Sequence, residues 1–230
     1  KDLKHFKKHG LIVPQIECDD FHHLTKGDNE RNNKYFLYNR GKHLVWDKNV
    51  IFFPRRINNK LCFLHRIRPD IQIVSVNSLD ELTKDFWENY FRNFEDNIVL
   101  TSNHKHEMSY IGGGCPPIET SQGWLLIYHG VHRTNIGKVY SACAALLDLN
   151  NPKKEIARLP YPLFQPDLVW ELKGVVENVC FPTGTALIDD TLYIYYGAAD
   201  ERIACASVSI NELLAELLLN KIKDEKSIPV

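Results

Sequence analysis

Three stretches of the chain repeat one arrangement of polar and apolar positions. Asn59-Lys60-Leu61-Cys62-Phe63-Leu64-His65-Arg66, Gly123-Trp124-Leu125-Leu126-Ile127-Tyr128-His129-Gly130 and Asp190-Thr191-Leu192-Tyr193-Ile194-Tyr195-Tyr196-Gly197 each open on turn-formers. Each then runs through leucine, β-branched and aromatic residues and ends on His or Tyr beside Arg or Gly. Their starts, at 59, 123 and 190, are 64 and 67 residues apart. A second apolar, β-prone element follows each one, at Ile71 to Asn77, Tyr140 to Leu149 and Ile203 to Ile210. A unit of roughly 65 residues built from short strands predicts a β-propeller, whose four-stranded blades surround a channel. One twisted sheet cannot bury both faces alone, whereas sheets in a ring pack face against face.

Further strands are expected at Lys34 to Asn39, Val50 to Phe53 and Val179 to Phe181. Helical spacing is confined to Leu79–Phe94 and to Asn211–Ile222, the latter behind an Asn211 cap. The opening, Lys1 to Phe6, reads as the end of a fourth repeat. The expectation is an all-β fold, one propeller domain over residues 1–230 with its N-terminal part missing. About three and a half blades are counted, with a rim helix at 211–223.

Composition narrows the partners. The 230 residues carry 28 Lys+Arg against 29 Asp+Glu, a formal net charge of -1, which gives no general electrostatic grip on nucleic acid. No apolar run approaches the roughly 20 residues of a membrane helix, and Lys1-Asp2-Leu3-Lys4-His5 is not an apolar leader. No membrane partner is expected, and a homo-oligomer is left open. The six cysteines form no C-x-x-C pair. Cys62, Cys143, Cys180 and Cys205 lie in apolar runs and read as reduced, buried thiols. That points to the cytoplasm, or to the periplasm if a leader has been removed; no metal cluster is visible.

The repeated strand ends carry the candidate chemistry. His65-Arg66, Tyr128-His129, Tyr196 and the nearby Asp200 occupy one repeat position and so can converge at one mouth of the channel. His, Arg, Tyr and Asp together suit a polyhydroxylated or anionic ligand. Gly112-Gly113-Gly114-Cys115-Pro116-Pro117 has no following Lys-Ser/Thr, so it reads as close-packed backbone lining a pocket rather than a nucleotide loop. Lys48 can meet a phosphate or a sugar hydroxyl. Cleavage of a glycoside by water needs a carboxylate base, whereas phosphate, already an anion, needs cationic ligands.

Seven ordered motifs resemble glycoside hydrolase family 130, the β-mannoside phosphorylases and β-mannosidases. They are Asp47-Lys48-Asn49 with Phe53-Pro54, Leu64-His65-Arg66, Gly112 to Ile118, Gly123 to Gly130, Ala144 to Asp148, Phe181-Pro182-Thr183-Gly184 and Tyr195 to Asp200. The resemblance implies a five-bladed β-propeller that cleaves β-mannosides by inverting phosphorolysis, with inorganic phosphate as co-substrate and no cofactor. It implies that Lys48 and His65 hold phosphate, and that Asp200, Tyr128, His129, Tyr140 and Phe181, with Arg66 from the strand-end set, bind an oligosaccharide. The family's acid belongs to an Asp-Pro-Arg motif absent from these residues. The alternatives are hydrolysis, with Asp47 or Glu177 as base, and a non-catalytic sugar-binding propeller.

Overall fold

The computed structural model describes residues 4–25, 30–135 and 137–222, with the side chains of 30–33 left aside. Two helices come first, α1 (Cys18–Leu24) and α2 (Glu30–Tyr38). The first sheet follows, with strands β1 (Asp47–Phe52), β2 (Leu61–Ile67), β3 (Ile71–Val76) and β4 (Ile98–Leu100) in the order β1-β2-β3-β4; helix α3 (Lys84–Arg92) lies between β3 and β4. The second sheet holds β5 (Tyr110–Gly113), β6 (Ile118–Thr120), β7 (Gly123–Thr134), β8 (Gly137–Leu147) and β9 (Glu155–Arg158). Its order is β5-β7-β8-β9, with β6 also on β7. After a short helix α4 (Val169–Leu172), the third sheet runs β10 (Cys180–Ile188), β11 (Thr191–Ala198) and β12 (Arg202–Ser209), and α5 (Ile210–Leu219) ends the described chain.

Alternation along the strands decides what each face buries. Cys62 and Leu64 of β2 join Trp124, Leu126 and Tyr128 of β7 in a core between the first and second sheets. The odd-numbered neighbours Leu125 and Ile127 turn the other way and meet Leu192 and Ile194 of β11, with Leu213, Leu214 and Leu217 of α5 closing the bottom. The remaining face of the first sheet, through Phe63 and Ile67, is covered by Phe21, Tyr35, Trp87, Tyr90 and Phe91 from the three helices and by Phe94 just after α3. The opposite face of the third sheet stays uncovered, with Ile188, Tyr195 and Ile203 exposed.

Most expected strands are present, and three expectations change. Lys34–Tyr38 is helical, with Asn39 just past the helix end, and Tyr35 and Asn39 share one buried face while Phe36 and Leu37 point outward. The last helix is capped by Ser209, whose Oγ accepts from Glu212 N at 3.2 Å, and Asn211 instead donates through Nδ2 to Asp190 Oδ1 at 2.5 Å. Cys205 is exposed on the uncovered face of the third sheet; the other five cysteines are buried, and all six are free. The opening falls partly on residues 1–3, outside the described ones, and residues 4–14 form no strand.

Candidate functional site at the meeting of three sheets

The inner strands β1, β5 and β10 come together where the chain has least bulk. A Cβ on Gly112 would stand 2.6 Å from His129 Cε1, on Gly113 2.7 Å from Ile51 Cδ1, and on Gly114 3.0 Å from Pro182. The glycine run therefore lets β1 and β10 close on β5. Gly112 and His129 are direct partners across β5 and β7, so the imidazole folds over the glycine toward the first sheet. There Arg66 Nη1 lies 3.5 Å from His129 Nε2, and from the third sheet the Phe181 ring sits 4.4 Å from the imidazole. Tyr140 adds a ring 6.2 Å away and shares a 2.5 Å hydrogen bond with Tyr110 through the two hydroxyls.

Around Tyr110 gather three cations. Arg68, Arg66 and Lys138 stand 4.1, 5.1 and 5.4 Å from its ring centroid. Arg66 is 5% exposed, and its Nε has no hydrogen-bond partner. Among the described residues no carboxylate is ion-paired with Arg66, Arg68, Lys138 or Lys48. Burial, followed by the charge of Arg68, brings the Arg66 pKa down to about 10. Burial, then Arg66 and Arg68, holds His129 well below the ordinary imidazole value, so its ring is neutral near pH 7. Lys48 is the cross-strand partner of Arg66, which sets both on one face of the first sheet; its ammonium lies 5.4 Å over Trp46. A bulge follows at Asn49, whose φ is 57° and whose buried Oδ1 has no partner. The site thus offers donors and cations without counter-ions, together with two buried acceptors that have no partner, Asn49 Oδ1 and Asp47 Oδ1.

Other expected residues lie elsewhere. His65, one position from Arg66, faces the helices: its Nδ1 is 2.7 Å from Asp47 Oδ2 and its Nε2 2.7 Å from Tyr90 Oη. Both ring nitrogens are occupied and the side chain is fully buried, which leaves His65 nothing to offer a phosphate. Tyr128 likewise turns into the core, where its hydroxyl donates to Glu107. Burial would raise the Glu107 pKa, but Arg158 at 3.1 Å and the Tyr128 hydroxyl outweigh it and hold the carboxyl below its usual value. Tyr196 donates to Glu171 Oε1 at 2.5 Å. Asp200 sits exposed on the β11–β12 turn with φ 51°, at the same end of the sheets but outside the Arg66–His129 contacts. Asp47 meets His65 through Oδ2 while its buried Oδ1 has no partner, and Glu177 is exposed. One group, His106, Glu107 and Cys143, gathers three metal-ligating atoms within 4.8 Å, but a cation there would face the Arg158 guanidinium. Sequence reasoning missed Arg68, Lys138 and Tyr110. The Arg66-x-Arg68 spacing, which repeats one side of a strand, was the available signal for Arg68.

A family profile described as beta-1,4-mannooligosaccharide phosphorylase matches residues 16–218. The chain is 38% identical over 169 residues to a 1,2-beta-oligomannan phosphorylase of Thermoanaerobacter sp. (strain X514), covering 73% of this chain and 52% of that protein. It is 36% identical over 173 residues to a beta-1,2-mannobiose phosphorylase of Listeria innocua, covering 74% and 46%. The solved structure of beta-1,2-mannobiose phosphorylase from Listeria innocua, in complex with beta-1,2-mannobiose, superposes with a TM-score of 0.64 at 31% identity, over 77% of this chain and 49% of that one. The chain spans about half the length of the curated relatives it matches. The likeness establishes the fold: the three sheets are blades of a five-bladed β-propeller.

Proposed function

The chain belongs to glycoside hydrolase family 130, and from that premise we propose that it is the phosphate- and sugar-holding part of an enzyme that cleaves β-mannosides by inverting phosphorolysis. The observation that carries the reading is the cluster of Arg66, Arg68 and Lys138 around Tyr110 with no carboxylate paired to it. The charge of Arg68 works against that of Arg66 and lowers its pKa, and a buried charge without a counter-ion is costly. An oxyanion between them removes both penalties through charge-assisted hydrogen bonds.

Arg66 and Arg68 grip the phosphate, Lys48 adds a positive charge from the neighbouring strand, and neutral His129 donates one hydrogen bond. Phe181 and Tyr140 give the sugar apolar surface, and Asn49 Oδ1 accepts from one hydroxyl. A phosphate oxygen attacks the anomeric carbon from the face opposite the glycosidic oxygen. The C–O bond breaks, and the leaving oxygen takes a proton from a carboxylic acid. These residues contain no Asp-Pro-Arg, and the acid is assigned to sequence outside them.

Hydrolysis is disfavoured, since the site presents cations where a water-activating carboxylate would stand. Incubation of the full-length enzyme with β-mannobiose and longer β-mannooligosaccharides, with and without inorganic phosphate, tests the reading. Mannose 1-phosphate formed only when phosphate is present is the expected result. Mannose released at the same rate without phosphate overturns it.

A further inference from the structure

Beyond the Arg66–His129 site, the same end of the third sheet carries a second concave surface. A cleft of 530 Å³ lies between α4 with the segment after it and the β11–β12 turn, lined by Val169, Trp170, Lys173, Gly174, Glu201 and Arg202. Its volume falls in the range of small-ligand sites. Trp170 is 44% exposed and Val169 73% exposed, an unusual placing for two large apolar side chains side by side.

The walls are held firmly. Glu171, beside Trp170, is buried and accepts from Tyr196 Oη at 2.5 Å and from the Asp167 and Leu168 amides at 3.0 Å each. Val179 N donates to Glu171 O, Ala199 N to Val179 O and Val176 N to Ala199 O, all at 3.0 Å. A Cβ on Gly174 would stand 2.6 Å from Ala199 O, so the two walls meet at a residue with no side chain. Opposite Trp170, Arg202 Nη2 pairs with Glu201 Oε1 at 3.0 Å.

We propose that this cleft is a distal sugar subsite, holding a mannosyl unit of an oligosaccharide whose scissile end lies at Phe181 and His129; the proposal rests on the mannoside reading above. The chemistry of the lining selects the ligand. An aromatic ring packs on the C–H face of a pyranose, while Lys173, Glu201 and Arg202 offer donors and acceptors to its hydroxyls. An anion would meet Glu201, and a wholly apolar ligand would strand three charged groups. The connecting wall also leads to the first site. Tyr140 N donates to Asn178 O at 2.9 Å, and Phe181 follows Val179 by two residues, so a sugar chain leaving Phe181 runs along residues 174–181 toward Trp170.

The test compares kcat/KM in phosphorolysis of β-mannobiose and β-mannotetraose, each as β-1,2- and β-1,4-linked series, for the full-length enzyme as wild type, Trp170→Ala and Trp170→Phe. The tetraose-to-biose ratio is expected to fall about tenfold in Trp170→Ala, through KM, and to be largely restored by Phe, which keeps a stacking face. A ratio unchanged in Trp170→Ala, or a loss of equal size on both substrates, overturns the subsite. Loss of stability in Trp170→Ala with no recovery by Phe also overturns it, because the ring would then serve the fold. A full-length wild-type enzyme, acid-bearing segment included, that is inactive on every mannoside overturns the mannoside reading itself and the subsite with it, an outcome distinct from normal activity without length selectivity.

Discussion

The imidazole of His129 lies so close over Gly112 that a methyl group on the glycine would stand 2.6 Å from Cε1. Gly112 has no left-handed backbone requirement, so the constraint is space alone. Gly112→Ala should cost about 1–3 kcal/mol, as overpacking does, and should push His129 off Arg66, lowering phosphate-dependent turnover by roughly an order of magnitude. Gly184→Ala, where no atom lies within 4 Å, is the control and should stay within about 0.5 kcal/mol of wild type. Thermal unfolding and kinetics of the two variants check this.

The proposed phosphate site predicts that stability depends on the anion, through Arg66, which has no counter-ion among the described residues. Phosphate at about 100 times its dissociation constant should stabilise the protein by about 2.7 kcal/mol, a rise in Tm of roughly 5–10 °C for a chain of this size. In Arg66→Ala that rise should vanish. Without phosphate the variant should melt no lower than wild type, because it loses a buried charge that had no partner. Calorimetry with and without phosphate reads both effects.

His129 should also leave a mark on the pH dependence of folding. Its folded pKa is depressed by burial and then by Arg66 and Arg68, so the unfolded chain takes up a proton below about pH 6.5 while the folded one does not. Stability therefore falls as pH drops from that value toward the folded pKa, at up to about 1.4 kcal/mol per pH unit. His129→Asn should flatten this slope. His106, whose pKa is also lowered by burial, and Glu107, held low by Arg158, lose stability in the same direction. The wild-type minus variant difference isolates His129, and an unchanged slope would sink the assignment.

Tyr90→Phe separates His65 from phosphate chemistry. The change leaves His65 Nε2 and Ile73 O without the hydroxyl that each contacts at 2.7 and 3.1 Å. It should cost about 1–3 kcal/mol and leave the phosphate-induced rise in Tm intact. A lost rise would return His65 to the anion site.

The outcome at His65 shows what a sequence of this kind reveals and where it stops. The repeats at 59, 123 and 190 are legible because β2, β7 and β11 alternate strongly, and the ends of β2 and β7 do bring Arg66 and His129 together. Alternation alone does not say which of two adjacent polar residues faces the channel, so His65 and Arg66, and Tyr128 and His129, could not be sorted. The packing sorts them: the α3 aromatics claim His65, and Glu107 claims Tyr128. Arg68, Lys138 and Tyr110 escaped notice because their meeting depends on how two sheets dock. Lys34–Asn39 was misread because a short apolar run fits either period until Tyr35 and Asn39 are seen on one buried side.

The glycine junction also bears on the order of folding. Lys48, Arg66, Gly112, His129 and Phe181 come from three sheets, each of which pairs strands that are close along the chain. The contacts among the five are distant along the chain, and such contacts form late because loop closure must precede them. The blades are therefore expected to assemble before the anion site exists, which makes phosphate binding a probe of the final docking step rather than of strand formation.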